Sequence, residues 1–528
     1  MTCPVLECGV LVLGAGIAGL EAALTAAQAG KDVLVVSKGA AASAAVLGFC
    51  APVGPLDSAK LFAGDTFRGG WEIGDEGLIR ALSEHSADTV RQMEGLGLTF
   101  DRRPENVRAY QLLRPLGCSV PRLVKHGNAT GKASMAVLRD ACAKLPVRFV
   151  DRSAALELLK TDGAVRGAVC MRTDTDEPFI VRAGAVVLAT GGAHLMKNST
   201  YPPDQTADGM AMAWHAGAAL TDLEFIQHEP CRAVWPGPLG LSTTLLSKGG
   251  ILTNSLGERF VLKHYPAEGA ASKDMLARLI ALEIREGRGS EHGGVYLDLT
   301  GIPEGEIKEK HVLYYERFLA AGIDLTKDII EVGPAAHSMM GGVRICDDGS
   351  TEVPGLYAAG EVTGGLHGAN RLGGNAGAET YVFGRAAGKA AAAYRSAPMP
   401  ETPELNGSGP LLKIDPRAEK TDWEAVKAAA RGTAAEVLGP VRDGTTLKKA
   451  AAVLEKELAD LKKTVPDSCR SLRLKTEACH LIEIAALACR AALERTESRG
   501  VHYRADFPER RDPEWRRHIV LAPPEKEI

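Results

Sequence analysis

VLVLGAGIAGLEAALTAAQAGKDVLVVSK, residues 10–38, decides the fold of this chain. Val10 to Leu13 is a short apolar run of the kind that forms a buried parallel strand. Gly14-Ala15-Gly16-Ile17-Ala18-Gly19 follows, then a helical pattern from Leu20 to Ala29 that Gly30 stops. Asp32 to Val36 reads as a second strand. In this strand–turn–helix–strand setting, the first glycine permits a tight turn and the second lets a pyrophosphate approach. The third lets helix and strand pack closely. Gly14, Gly16, Ala18 and Gly19 are therefore candidate dinucleotide-binding residues. The second strand ends in Ser37-Lys38, where an acid ordinarily takes the ribose hydroxyls. Ser37 can still hydrogen-bond a ribose.

Two more apolar strands run into glycine turns, VVLATGG at Val186 to Gly192 and GLYAAGE at Gly355 to Glu361. The second lies within a glycine-dense segment, Gly333 to Lys389, that also holds His337, the isolated acid Glu361 and the run Arg371 to Gly374. A helix pattern starts near Asn375. Glycine is needed where backbone turns with positive φ or approaches a ligand closely. Glycines beside a helix start aim amides and a positive dipole end at an anionic or electron-rich ligand.

The rest of the composition narrows the field. At 528 residues and 45% apolar, the chain can bury a large core in two or three domains. A net charge of −4 gives no general attraction to nucleic acid or anionic membrane. The 11 cysteines form no CxxC pair, so no metal or iron–sulfur ligation is expected, and they read as buried thiols in a reducing compartment. MTCPVLECGVLVLGAG lacks a basic start, and no apolar stretch is long enough to span a bilayer. The expectation is a cytoplasmic protein without membrane insertion.

Taken in order, the chain resembles the flavoprotein subunits of fumarate reductase and succinate dehydrogenase, and L-aspartate oxidase. The resemblance rests on VLGAGIAGLEAAL, GDTFRGGWEIGDEGLI, ATGKA at Ala129 to Ala133, and ATGGA at Ala189 to Ala193. ADGMAMAWHAGA (Ala207 to Ala218), the segment from Gly333, and SRGVHYRADFPERRDPEW (Ser498 to Trp515) complete it. It implies an α/β fold: an FAD-binding Rossmann-like domain of the two-dinucleotide-binding type, an inserted α+β capping domain, and a C-terminal helical domain. The expected boundaries are 1–228 and 333–396 for the discontinuous FAD domain, 229–332 for the cap, and 417–528 for three helices and a tail folding back toward the flavin domain. Ala397 to Pro416, rich in Pro, Gly and Ser, reads as a linker.

The resemblance also implies roles. FAD would be held at Gly14, Gly16, Ala18, Gly19, Ser37 and Lys38, at Ala189, Thr190 and Gly191, and at Asp208 and Glu361. Asn375, Ala376 and Gly377 would open the helix facing the flavin ring. Respiratory relatives bond the flavin to a histidine after the second strand; Lys38 to Cys50 contains none, so noncovalent FAD is expected. His337 and Arg371 match the carboxylate-binding histidine and arginine, and a guanidinium fork suits a carboxylate.

The proton-handling part of the pattern is altered. Where the resemblance calls for TEGxRGEGG, this chain has Ser242 to Gly250, with Thr243 and Lys248 in place of acids and Leu246 in place of arginine. QFHPT becomes Gln227-His228-Glu229-Pro230-Cys231, and Lys273 in SKDM stands where the catalytic arginine of GRDV would be. His228 and Glu229 are candidate substrate or proton groups. Lys273, with Lys248 behind it, is the candidate proton donor, because lysine titrates more readily than arginine. The readings carried forward are an FAD oxidoreductase acting on a small carboxylate, an amino-acid oxidase of the L-aspartate oxidase kind, and a flavin electron-transfer subunit serving an iron–sulfur or other redox partner.

Overall fold

The computed structural model describes residues 3–39, 41–396 and 414–524. Residues 397–413, most of the expected linker, lie outside the described residues. The chain opens with β1 (Val5–Leu13), α1 (Ile17–Gln28) and β2 (Val33–Val36). The helix starts three residues before the expected Leu20 because Ser43 Oγ accepts the Ile17 amide at 3.1 Å, capping the first turn from outside the helix. After three helices come β3 (Val147–Val150), β4 (Ser153–Thr161), β5 (Ala164–Arg172) and the long β6 (Pro178–Leu188).

These strands form one sheet in the order β3-β2-β1-β6-β5-β4. β3, β2, β1 and β6 are parallel, and β6 through β4 are antiparallel. The first half of β6 pairs with β5, and its second half pairs in parallel with a strand from far along the chain, Leu356–Ala358 (β11 below). In register, Val36 lies opposite Leu13, Leu13 opposite Leu188, and Leu188 opposite Ala358. The glycine turns singled out in the sequence therefore leave the carboxyl ends of adjacent strands along one edge, the usual crevice for a ligand in a parallel sheet.

α2 (Asp208–Ala216) leads into β7 (Ile226–Trp235), which opens the cap. The cap contains β8 (Ile251–Thr253), α3 (Lys273–Arg285) and β9 (Val295–Asp298), and returns through β10 (Ile330–Met339) to β11 (Leu356–Ala358). Its antiparallel sheet runs β7-β10-β9-β8 over a core that includes Leu246, Leu252, Phe260, Ile280 and Val332. The expected boundaries at 229 and 332 fall inside β7 and β10. These two strands run continuously from one half to the other, so residues at their crossing stand on the seam.

α4 (Asn375–Ala393) follows, then α5 (Trp423–Val437), α6 (Gly444–Lys463) and α7 (Cys469–Glu494). Leu447, Ala451, Leu454, Leu458 and Leu461 line the buried face of α6 as their spacing predicts. α5 is capped by Asp422, which accepts the Ala425 amide. The three helices share one hydrophobic core with the sheet built around β1. The tail then reaches back: Arg499 donates to Trp71 O at 3.1 Å, and Val520–Leu521 pairs with Leu220–Thr221. Among the described residues, no helix is long and apolar enough to cross a membrane.

Candidate active site

At the nucleotide edge, the three motif glycines have distinct surroundings. Gly14 has φ +117°, and a Cβ there would lie 2.1 Å from Ala189 O. A Cβ on Gly19 would lie 2.0 Å from Gly14 O. Both positions are closed by the protein itself. A Cβ on Gly16 would meet Ser43 Oγ at 3.0 Å, so this glycine is excluded far less by the fold. Its bareness suits a cradle for a phosphate. Ala18 packs against the turn at Gly360, and Thr190 against Gly209. Ala189 and Gly191 shape the adjoining turn, with Gly191 at φ +79°.

Ser37 and Lys38 both have side-chain partners within the protein. Ser37 Oγ donates to Asp151 at 2.6 Å. Lys38 Nζ meets Thr206 at 2.8 Å, Asp208 at 2.9 Å and Glu477 at 3.1 Å. An ammonium has three donors, and all three are taken. Asp208 in turn accepts from Lys38, Thr206 and His480. Burial alone would raise its carboxyl, but Lys38 and His480 outweigh it and hold it low. Lys38 and Asp208 thus fasten the end of β2 to α2 and α7.

The helix opening has a different character. Asn375 is fully buried at the start of α4; its Nδ2 donates to Thr66 Oγ1 at 3.0 Å, while Oδ1 has no partner among the described residues. Ala376 is half-buried in the same turn, and Gly377 lets the turn sit on Phe49. Glu361 Oε1 accepts from Tyr201 at 2.6 Å and Ser338 at 3.2 Å. Burial raises the Glu361 carboxyl, against those donors and Arg371. A bare phosphate turn, an orphaned buried amide oxygen and a carboxylate along one strand edge fit FAD.

The cap seam assembles the second half of the site. Arg371 donates through Nε to Ser338 Oγ at 3.2 Å, through Nη1 to Leu372 O at 3.2 Å, and through Nη2 to Gln227 Oε1 at 3.0 Å. Three of five donors are used, leaving one on each Nη, the pair a carboxylate takes. Gln227 also donates to Asn370 Oδ1 and Arg371 O, both at 2.9 Å, so it brackets the residue from two sides.

His337, on β10, has Nδ1 3.0 Å from Thr200 Oγ1. Burial, then Arg371, Lys273 and His228, push its imidazole down to about 3. His228 is likewise pushed to about 3 by burial and Arg442. Lys273 is the first residue of α3, whose start points at β7, and its Nζ forms an ion pair with Glu229. Glu229 Oε1 and His228 Nε2 are buried without partners among the described residues. His337, Arg371, Lys273, His228 and Glu229 therefore form one cluster.

Lys248 does not join it. The 3-10 helix Thr243–Lys248 turns Leu245 and Leu246 into the cap core and leaves Lys248 half-exposed, paired with Glu306 at 3.4 Å. Gln227, Ser338, Thr200 and Tyr201 were not assigned from sequence. Ser338 adjoins His337 in the motif, but Thr200 and Tyr201 meet the site only in space. Asp274, beside Lys273, is buried with both carboxylate oxygens unpartnered among the described residues.

Known proteins match the chain over nearly its whole length. The family described as FAD binding domain matches residues 9–376, and that described as fumarate reductase flavoprotein C-term matches residues 431–527. A subunit of the fumarate reductase (CoM/CoB) of Methanothermobacter marburgensis is 37% identical, covering 98% of this chain and 97% of that one. L-aspartate oxidase of Vibrio cholerae is 32% identical, covering 95% of this chain and 96% of that one. Among solved structures, the E. coli quinol fumarate reductase FrdA superposes with a TM-score of 0.90 at 28% identity, covering 98% of this chain and 94% of that one. Mycobacterium smegmatis Sdh1 in complex with UQ1 gives 0.87 at 32% identity, covering 98% and 94%.

Proposed function

This chain belongs to the FAD-dependent fumarate reductase and succinate dehydrogenase flavoprotein family, and from that premise we propose hydride transfer to or from a carbon beside a carboxylate, with Lys273 moving the proton. When bound, FAD supplies or accepts the hydride. Arg371, held by Gln227 and Ser338, presents its remaining Nη donors to the carboxylate. His337 contributes a neutral imidazole whose Nδ1 is occupied by Thr200, leaving Nε2 as its substrate atom. Together they would hold the substrate in one orientation for reaction with a bound flavin, which is worth more in rate than in affinity.

The observation that carries this reading is the ion pair between Lys273 and Glu229, formed within electrostatic reach of His337. Lys273 gives its proton to the alkene carbon and Glu229 steadies the ammonium between turnovers. Lys273 is 38% exposed, so water can reprotonate it directly. That exposure stands in for the acid and arginine relay that the segment Thr243–Lys248 lacks. FAD is held noncovalently, since Lys38 to Cys50 offers no histidine.

The test is a reoxidation panel. Dithionite-reduced holoprotein mixed with small unsaturated acids should recover its flavin absorbance with at least one of them. Lys273→Ala should slow that step by roughly 10²–10⁴-fold at unchanged flavin content. Reoxidation by no acid on the panel would sink the proposal. The L-aspartate oxidase relatives support one rival reading, which aerobic peroxide release with L-aspartate would favour. The Methanothermobacter relative is named as one subunit of its enzyme, which supports a partner chain here too. Among the described residues no cluster could hold a metal ion, so an iron–sulfur path would belong to that partner.

A further inference from the structure

The cleft that holds the carboxylate has an uneven charge. Around His337 stand two cations, Arg371 and Lys273, and one anion, Glu229. His337 and His228 are both held neutral, pushed down to about 3 by burial. Glu361, the other carboxyl near Arg371, spends Oε1 on Tyr201, Ser338 and the Met339 amide. Arg371, Lys273 and Glu229 together carry at most one net positive charge, which one carboxylate neutralises, and the buried Asp274 beside Lys273 and Glu361 beside Arg371 add no further cation. A second carboxylate would bring an uncompensated negative charge beside Glu229 in a largely desolvated place, and like charges at a buried contact are strongly disfavoured.

The loose ends in the cleft point the same way. Glu229 commits Oε2 to Lys273, while Oε1 is buried and has no hydrogen-bond partner among the described residues. A buried carboxylate oxygen left bare costs stability and marks a place where a donor belongs. An ionised carboxylate only accepts, so the group it lacks is an N–H or O–H. His228 Nε2 is unpartnered on the same strand, and at His228 and Glu229 β7 departs from regular register with β10. Through Lys273, Glu229 belongs to the group around His337, whose other cationic neighbour is Arg371.

Resting on the carboxylate reading above, we infer that the substrate is a monocarboxylate whose far end carries a hydrogen-bond donor, an amine or a hydroxyl, received by Glu229. Glu229 then sets specificity: Oε2 keeps Lys273 in place for proton transfer, and Oε1 selects against a second carboxylate. No group of the protein is oxidised or reduced by this contact, and no covalent step is added.

Four trans four-carbon acids that differ only at the far end make the test: fumarate, crotonate, 4-hydroxycrotonate and 4-aminocrotonate. Each is titrated into oxidised holoprotein, and the perturbation of the flavin absorbance gives its Kd. The hydroxy and amino acids should bind tighter than fumarate by roughly tenfold or more. In Glu229→Gln, fumarate should gain most and the amino acid should lose, while crotonate, an anion with no charge at its far end, should gain less than fumarate; unchanged flavin content reports an intact fold. Glu229→Asp, which keeps the charge, should retain the native order. Fumarate binding tightest to the native protein, or an unchanged order in Glu229→Gln, overturns the assignment of the far end alone. If none of the four acids perturbs the flavin, the carboxylate reading falls and takes this inference with it.

Discussion

His228 shows how far a single side chain can be displaced from its ordinary behaviour. It is buried, its Nε2 is unpartnered among the described residues, and burial with Arg442 nearby holds its pKa near 3 against an ordinary 6.5. The unfolded chain therefore binds a proton below pH 6.5 that the folded chain refuses down to about pH 3. Stability tied to this residue is complete above pH 6.5 and falls as the pH drops through that window. At pH 5 the loss is about 2 kcal/mol relative to pH 7.5. His228→Gln should remove that part of the acid sensitivity, seen as a smaller shift of the urea midpoint between pH 7.5 and pH 5. Equal shifts in the two proteins would show that the imidazole is protonated in the folded state. The same neutrality bears on function: a neutral His337 donates or accepts a hydrogen bond without adding charge, which leaves Arg371 to carry the attraction for a carboxylate.

At the scale of elements, β1, the glycine turn and α1 separate folding from binding. A methyl group at Gly14 or Gly19 would collide with backbone about 2 Å away, whereas at Gly16 the nearest atom is a serine hydroxyl at 3.0 Å. Gly19→Ala should therefore lower the unfolding midpoint markedly, while Gly16→Ala should fold normally and rebind FAD more weakly after acid stripping. Equal FAD affinity in Gly16→Ala would remove the phosphate from that turn, and FAD that stays with acid-precipitated protein would disprove noncovalent attachment. These motifs were legible in the sequence because each strand, turn and helix is contiguous, and the fold needs each residue for a local reason. The ion pairs of Lys38 and Asp208 were not legible because the partners Glu477 and His480 sit on α7, more than two hundred residues away. Lys248 stands apart from the cluster because the short 3-10 helix carrying it sends its leucines inward and its lysine out. Lys273 and Glu229 were each visible, but their pairing depends on α3 starting against β7, which spacing alone does not fix. Gln227 was in plain sight within the altered QHEPC run, yet its grip on Arg371 exists only where β7 meets the loop before α4.

Over the whole molecule, the C-terminal tail is what ties the helical unit to the strand that carries the altered cleft. Arg495 is completely buried at the end of α7, where it donates to Glu224 at 2.8 Å, Glu497 at 3.2 Å, and the carbonyls of Trp515 and Arg517 at 2.8 and 2.9 Å. Its guanidinium also lies 4.8 Å from the centre of the Phe225 ring. Glu224 and Phe225 immediately precede β7, so this one cation braces the entry to the strand that presents His228 and Glu229. Burying such a network contributes little net stability, but removing one partner strands the others. Arg495→Met should cost about 3 kcal/mol or more, read as a lower denaturation midpoint, and should weaken binding of a carboxylate probe by disturbing β7. Glu497 keeps Arg499 in that variant, so the stranded charge is Glu224. Adding Glu224→Gln should then recover part of the lost stability, because the two changes share one interaction. It should recover less of the probe binding, since the brace on β7 is still missing. A double variant no more stable than Arg495→Met would mean that the carbonyls of the tail, and not the charge of Glu224, are what Arg495 serves.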